Sequence, residues 1–221
     1  MSQSNWKEYF NDKAKTHGGS VMTSDYFNEK SFYIQRENTL KWLGALKGKE
    51  ILDAGCGVGA FSETLVKENT VHGVDFSEKS LEFAKKRGLT THCGDLGALP
   101  YENGKFDLVL CIGVIQLITD YKRIINELAR VTKPGGTLLI ETLNRNSLQR
   151  KMYSVINKDK KFDLMYTREE LESIFNQLGF GSIEFMNIHH PLSFVTYKKG
   201  EGFIDKCFST SFAIKGVKVK A

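Results

Sequence analysis

The sequence predicts an α/β fold built around a doubly wound, mostly parallel sheet. Two observations predict it: short apolar segments alternate with segments of helical period, and a glycine-rich turn follows the first strand-like segment. Segments that alternate in this way form βαβ units, whose right-handed crossovers place helices on both faces of a parallel sheet. Such a sheet binds its ligand at the carboxyl ends of the strands.

Residues 1–47 are predicted to form an N-terminal helical cap, because aromatic and aliphatic residues recur there at helical spacing. Residues 48–143 are predicted to form the ligand-binding core. Its five strands are Ile51–Leu52, Val71–Val74, Leu89–Cys93, Phe106–Ile112 and Thr137–Thr142. Its helices run through Phe61 to Val66, Ser77 to Arg87 and Tyr121 to Val131.

The alternation changes after residue 143. Residues 144–168 are predicted to insert a basic lid with an amphipathic helix over Asn146–Ile156. Residues 169–221 complete the sheet and contribute to the acceptor pocket, which the aromatic loop 190–209 is expected to shape. The elements of this segment are a helix that Thr167 caps and two late strands, Gly181–His189 and Thr210–Val219. We expect all four segments to form one structural domain.

Composition and charge exclude several classes of protein. No apolar run approaches the ~18 residues of a membrane span, and no export signal is readable, so we expect a cytoplasmic protein. The four cysteines lack a Cys-x-x-Cys pair and predict reduced thiols rather than a metal site. Residues 144–168 hold seven basic and two acidic residues, an excess equal to the net charge of +5. The rest is balanced, so no nucleic-acid surface is expected.

The glycine-rich turn contains Gly55, Gly57 and Gly59, which have no Cβ to keep a ligand from the backbone. Such a turn alone fits several nucleotides. Asp53 precedes it at the end of the first strand, where a carboxylate opposes a pyrophosphate but favours an ammonium or sulfonium group.

Two further carboxylates follow at strand ends. Asp75 ends the second strand, at the distance from the turn where an acidic side chain accepts from ribose hydroxyls. Asp95 ends the third strand, where it could accept from the exocyclic amine of adenine or simply form a turn with Gly94. The ligand so outlined is an adenosine with a positively charged amino-acid tail, which describes S-adenosylmethionine.

Five motifs carry a resemblance to a known family. They are Leu52–Gly59, Gly73–Ser77, Gly94–Asp95, Phe106–Val109 and Lys133–Leu138. In this order they resemble the motifs of class I S-adenosylmethionine-dependent methyltransferases, especially the small-molecule group that includes the ubiquinone and menaquinone biosynthesis enzymes. The resemblance covers residues 48–142. It implies a Rossmann-like sheet of seven strands whose last strand is antiparallel.

The resemblance also implies which residues hold the methionine part of the cofactor. Asp53 and the turn from Gly55 to Gly59, with Cys56, would bind it, and the backbone around Cys111 would accept from its ammonium group. Arg36 of the cap would pair with its carboxylate. Core packing and a solvated charge are the alternatives for Arg36.

The adenosine part has its own implied contacts. Asp75 would bind the ribose hydroxyls, and the ring of Phe76 would lie against the adenine. Asp95 and the backbone of Leu96 would read the adenine edge.

The sequence departs from the family where a catalytic base would be sought. Family members often carry Leu-Glu-His or Leu-His-His after the fourth strand, whereas this chain has Ile115-Gln116-Leu117. His189 and His190 are candidate bases instead, because they end a predicted strand and imidazole titrates near neutral pH. The alternative is a strand-end pair that precedes Pro191.

The predicted activity is methyl transfer to an oxygen or nitrogen of a small-molecule acceptor, either acidic or lipid-like. A protein or RNA methyltransferase and a non-catalytic S-adenosylmethionine-binding module are the alternatives. Three interpretations of the basic lid stay open. It could attract an acidic acceptor, lay residues 146–156 on an anionic membrane, or present an ordinary solvated helix face.

Overall fold

The structure is a computed structural model that describes residues 3–24, 29–148, 150–152, 164–188, 197–198 and 209–219. Its strands form one eight-stranded sheet in the order β3-β2-β1-β4-β5-β8-β6-β7. The strands are β1 Glu50–Ala54, β2 Thr70–Asp75, β3 Thr90–Cys93, β4 Phe106–Ile112, β5 Thr132–Leu143, β6 Phe180–Ile188, β7 Tyr197–Lys198 and β8 Ser211–Lys218.

Strand direction confirms the predicted architecture. Strands β1 to β5 pair in parallel, and β8 is antiparallel to both β5 and β6. The seven expected strands are therefore present, with the last one reversed. The two-residue β7, inside the segment 190–209, pairs with β6 and was not predicted. Strand β5 begins earlier than expected, at Thr132, and its register with β4 shifts after Phe106.

Five α-helices whose bounds are fully described flank the sheet, besides the helical residues 148 and 150–152. They are α1 Gln3–His17, α2 Glu29–Leu43, α3 Glu78–Lys86, α4 Tyr121–Val131 and α5 Arg168–Gln177. Helix α4 has the predicted bounds. Helix α3 begins after Ser77, whose side chain accepts from the backbone N–H of Ser80. The predicted cap consists of α1, α2 and a short 3-10 helix, Val21–Ser24.

The prediction of a helix after the glycine turn, through Phe61 to Val66, is wrong. The segment forms successive turns and a 3-10 helix, Leu65–Lys67. Gly59, just before this segment, has φ +77°, so no right-handed helix runs continuously from the turn into it. Further along, the N–H of Leu65 bonds to the carbonyl of Ser62, which closes a three-residue turn. Apolar spacing therefore does not decide the local backbone here.

Each face of the sheet carries its own hydrophobic core. Helices α4 and α5 cover one face, where Ile124, Leu128 and Phe175 are fully buried. Helices α2 and α3 cover the other, where Phe32 and Leu81 pack. Apolar residues occur on both faces of β4, as expected for a central parallel strand. The cap is thus part of the fold, because α2 lies on the sheet.

Three arginines of the predicted basic lid contact other parts of the fold. Arg145 pairs with Glu170 at 2.6 Å, and Arg150 donates to the carbonyl of Thr210. Arg168 is buried, with its guanidinium 5.3 Å from the ring centre of Phe185. Within the predicted helix Asn146–Ile156, Leu148 and residues 150–152 are helical, whereas residue 149 and residues 153–156 lie outside the described residues. No helix in the described part is long and apolar enough to cross a membrane.

The N-terminal cap of α5 gives a test of local stability. Thr167 and Glu170 form a capping box, in which each side chain accepts from the other's backbone N–H. We expect Thr167→Ala to lower the free energy of unfolding by about 1 kcal/mol in chemical denaturation. Thr167→Ser keeps the hydroxyl and should match the wild type. Equal stability of the alanine and serine variants would contradict this role.

Candidate active site

The candidate site lies at the carboxyl edge of the sheet, where the strand order reverses between β1 and β4. Strands β2 and β3 lie on one side of β1, and β4 and β5 lie on the other. In this register Asp53 of β1 is opposite Leu110, and Asp75 of β2 is opposite Cys93. A switch point of this kind is where open α/β sheets bind ligands. The predicted residues at the ends of β1, β2 and β3 are thus brought to one edge.

The glycine turn is held close to its neighbours by packing. Gly55 has φ +81°, and a Cβ there would lie 2.3 Å from Val114 Cγ2. At Gly59 a Cβ would lie 2.9 Å from the Cα of Ala84 in α3. Both positions therefore need glycine because protein atoms fill the space. Gly57 is tight too, with Ser24 Oγ 3.0 Å from the position of a Cβ.

Asp53 is buried at the end of β1, with 2% of its surface exposed. Its Oδ2 accepts a 2.7 Å hydrogen bond from the hydroxyl of Ser62. Burial raises the pKa of Asp53 to about 7, the bond from Ser62 lowers it in part, and the nearby charge of Asp75 raises it. A positively charged ligand beside Asp53 would favour its ionised form.

Asp75 joins the end of β2 to the glycine turn. Its Oδ2 accepts from the backbone N–H of Gly57 at 2.9 Å, and its Oδ1 accepts from that of Ser77 at 2.8 Å. Burial raises the pKa of Asp75, and these backbone hydrogen bonds oppose the rise. Each carboxylate oxygen has a second lone pair, so Asp75 can still accept from a ligand hydroxyl.

Aromatic side chains of α1 cover the end of β2. The ring of Phe76 lies 6.0 Å from that of Phe10, and Trp6 stacks on Phe10 at 5.8 Å. Asn11 accepts from the hydroxyl of Ser77 at 2.8 Å, which fixes α1 to the start of α3. Asn11 was not singled out from the sequence, because an asparagine in a polar helix carries no signal of a contact so distant.

Asp95 is engaged by protein groups on both oxygens. Gly97 N–H donates to Oδ1 at 2.9 Å, which closes a local turn, and Arg123 Nη2 donates to Oδ2 at 2.7 Å. The turn-forming alternative for Asp95 therefore has a structural basis. Leu96 beside it is buried.

Two predicted site residues are cysteines whose thiols stay protonated. Burial raises the pKa of both Cys56 and Cys111, and the charge of Asp53 raises it further. The side chain of Cys111 packs in the core under α4, so only its backbone faces the site. Neither thiol supplies a nucleophile.

Arg36 connects the cap to the glycine-turn segment. Its Nη1 donates to the carbonyl of Ala60 at 3.0 Å and to Glu63 at 2.7 Å. Glu63 also accepts from Arg87, whose Nη1 donates to the carbonyl of Val58. The Arg36 side chain is 11% exposed, which excludes a solvated charge, and its buried Nε has no partner among the described residues.

The position of the missing family histidine holds no base. Ile115–Leu117 is a 3-10 helix in which Gln116 accepts from the hydroxyl of Thr142 at 3.2 Å. The other candidate bases, His189 and His190, lie outside the described residues. Within the described ranges, no group of His, Cys, Asp and Glu could hold a metal ion.

The strand order, the reversed last strand and the acid-lined glycine turn define a Rossmann-like nucleotide-binding protein. Residues 45–179 match the family described as methyltransferase domain, which is more than half of the chain. The chain belongs to this family and is an S-adenosylmethionine-dependent methyltransferase.

Individual relatives agree with this family. The chain is 30% identical over 205 residues to a ubiquinone biosynthesis O-methyltransferase of Coxiella burnetii, covering 86% of this chain and 82% of the relative. A protein of the same name from Bordetella bronchiseptica is 32% identical over 151 residues, covering 61% and 63%.

Solved structures show the same fold. A methyltransferase of Thermotoga maritima described as "possible histamine N-methyltransferase" has a TM-score of 0.71 at 25% identity, covering 86% of this chain and 90% of that one. Magnesium protoporphyrin IX methyltransferase of Synechocystis, solved with bound SAH, has a TM-score of 0.75 at 20% identity, covering 98% and 100%.

The raised pKa of Asp53 predicts a pH-dependent penalty on stability. A carboxyl that binds its proton more tightly when folded stabilises the fold below its unfolded pKa, and this contribution is lost as pH rises to about 7. We therefore expect the melting temperature of Asp53→Asn, relative to that of the wild type, to increase as pH rises from about 5 to about 8. Glu102→Gln, at an exposed site, controls for the change in net charge. A constant difference between Asp53→Asn and wild type would contradict the burial argument.

Proposed function

We propose that this methyltransferase acts on an oxygen of a small-molecule acceptor of the phenol type. The observation that carries the proposal is the extent of the likeness to the Coxiella O-methyltransferase. It spans 86% of the chain, so it extends well beyond the cofactor-binding motifs at residues 48–142. Regions outside those motifs shape the acceptor side of such an enzyme.

The described residues fit S-adenosylmethionine. Asp53 and Asp75 are buried carboxyls, and burial raises the pKa of both. A cationic ligand beside them would therefore favour their ionised forms. The buried Nε of Arg36, near the same turn, has no partner in the described part of the chain, and a ligand carboxylate could supply one. When bound, the cofactor supplies a methyl group already activated on a sulfonium.

Each end of the cofactor would be held by its own group of residues. The methionine end would be held by Asp53, the backbone of Gly55 to Gly59 with Cys56, the backbone at Cys111, and Arg36. The adenosine end would be held by Asp75, Phe76, Asp95 and Leu96. In this arrangement the ribose contact shares the Asp75 carboxylate with the N–H of Gly57, so ligand and turn would be ordered together.

The protein's part in the reaction is to align the acceptor and exclude water. Helix α1 covers the β2 side of the site through Phe10, and α2 covers the β5 side. A phenol with a pKa of about 10 is mostly protonated at neutral pH, so transfer to it is faster when a protein group takes the proton.

Cofactor binding should depend on the ionisation of Asp53. Since a cationic tail favours the carboxylate, we expect affinity to weaken as pH falls below about 7, by at most about tenfold per pH unit. Titration calorimetry at several pH values measures this slope. Asp53→Asn should bind more weakly at high pH and show a shallower slope. If the two proteins show equal slopes, Asp53 does not contact the cofactor.

The acceptor class is tested directly with methyl-labelled S-adenosylmethionine. We expect label to appear on phenols in a panel that also contains carboxylic acids, amines, a peptide and an RNA. Asp75→Asn serves as the control that loses cofactor binding. Label on amines alone, or on the peptide or RNA, would overturn the oxygen assignment. Cofactor binding with no transfer to any acceptor would point to a binding module.

A further inference from the structure

A buried carboxyl that no cofactor contact uses lies on the other side of the site. Glu141 is near the carboxyl end of β5 and is 5% exposed. It pairs in register with Ile112 at the end of β4, and its carbonyl accepts from the N–H of Gly113. An isolated carboxyl is seldom buried, so its retention needs an explanation.

The position of Glu141 is on the side from which an acceptor would approach. The proposed cofactor contacts of Asp53, Asp75 and Asp95 follow β1, β2 and β3, on one side of the switch point. An acceptor must then approach over the ends of β4 and β5. Alternation along the strands puts Glu141 on the same sheet face as Asp53, under α2.

The contacts of Glu141 leave hydrogen-bonding capacity unused. Its Oε2 accepts a short hydrogen bond from Nε2 of Gln35 in α2, and no described residue donates to its Oε1. Gln35 Oε1 is buried with no partner among the described residues, and so is Thr39 Oγ1 one helical turn later. Buried polar atoms are rarely left unpaired, and a ligand that carries a hydroxyl could satisfy them.

The ionisation of Glu141 suits proton transfer near neutral pH. Burial raises its pKa to about 7, and the hydrogen bond from Gln35 opposes the rise. The charged groups on the surrounding elements are otherwise engaged. Arg36 of α2 pairs with Glu63, Lys215 of β8 pairs with Glu184 of β6, and Asp53 lies two strands away.

We propose that Glu141 binds the hydroxyl of the methyl acceptor and takes its proton during transfer, while Gln35 orients the carboxyl. This inference rests on the proposed oxygen acceptor. The acceptor's O–H bond breaks and the proton goes to Oε1 of Glu141. The oxygen then forms a bond to the methyl carbon as the carbon–sulfur bond breaks. Sulfur keeps that electron pair and loses its positive charge, and Glu141 later releases the proton to water.

The test is the pH dependence of kcat/KM for a phenol that the wild type methylates. With saturating S-adenosylmethionine, which removes the effect of Asp53 on cofactor affinity, we expect kcat/KM of the wild type to rise through an apparent pKa near 7 between about pH 6 and pH 9 and then to level. Glu141→Gln should lose roughly 100-fold or more and lack this rise, with unchanged affinity for S-adenosylmethionine. Glu184→Gln, on the same sheet face but paired with Lys215 and Trp42, should behave as the wild type.

A second variant separates proton transfer from a merely structural link between α2 and β5. Gln35→Leu removes the hydrogen bond that opposes the raised pKa of Glu141, so the rise in kcat/KM should move to higher pH. A structural link would lower the melting temperature and leave the position of the rise unchanged. This readout remains informative if Glu141→Gln folds poorly.

Three results would overturn the inference. In the first, Glu141→Gln keeps the wild-type profile. In the second, a His189→Gln/His190→Gln variant loses the rise while Glu141→Gln retains it. In the third, Gln35→Leu lowers stability without moving the rise. If the wild type binds S-adenosylmethionine but methylates no oxygen acceptor, the proposed function itself is wrong. The wild type is therefore tested for methylation before any variant is compared.

Discussion

Burial of two carboxyls without a cationic partner is the constraint around which the site is built. Asp53 and Asp75 lie at the ends of neighbouring strands, and no described cationic side chain contacts either one. Their hydrogen bonds come from neutral groups, Ser62, Gly57 and Ser77. Burial of both carboxyls therefore costs electrostatic free energy, which a cationic ligand beside them would offset. A protein selected only for stability would not keep such a pair.

The glycine turn is fixed by groups from every side, which keeps that carboxyl pair in place. Asp75 accepts from the N–H of Gly57 in the turn, and Val114 and Ala84 leave no room for side chains there. Arg87 donates to the carbonyl of Val58 in the same turn. Arg87 also donates to the carbonyl of Gly19 in the cap. The cap and the turn thus share a hydrogen-bonding network, and a change in one is transmitted to the other.

The sequence predicted the core of the fold because periodicity and strand-end chemistry are local. Helix α4 and strand β4 have the predicted bounds, and the acids were found because each lies at or just after the end of a strand. The helix after Gly59 was wrong because a glycine at positive φ and three-residue turns decide that backbone. Strand β7 was missed because two residues carry no periodicity. The link of Gln35 to Glu141 joins positions 106 residues apart, and no local pattern indicates it.

The reversed strand β8 has a consequence for the order of assembly. Strand β6 precedes β8 in the chain, yet β8 lies between β5 and β6 and provides the hydrogen bonds to both. When β6 has been synthesised, its neighbour in the sheet, β8, has not. Strand β6 can therefore pair with the sheet only after β8 follows it. Such non-local pairing is slow, because the entropy cost of closing a long loop precedes the contacts that offset it. The side of the sheet formed by β8 and β6 is thus the last part to form, after the edge that carries Asp53 and Asp75 is complete.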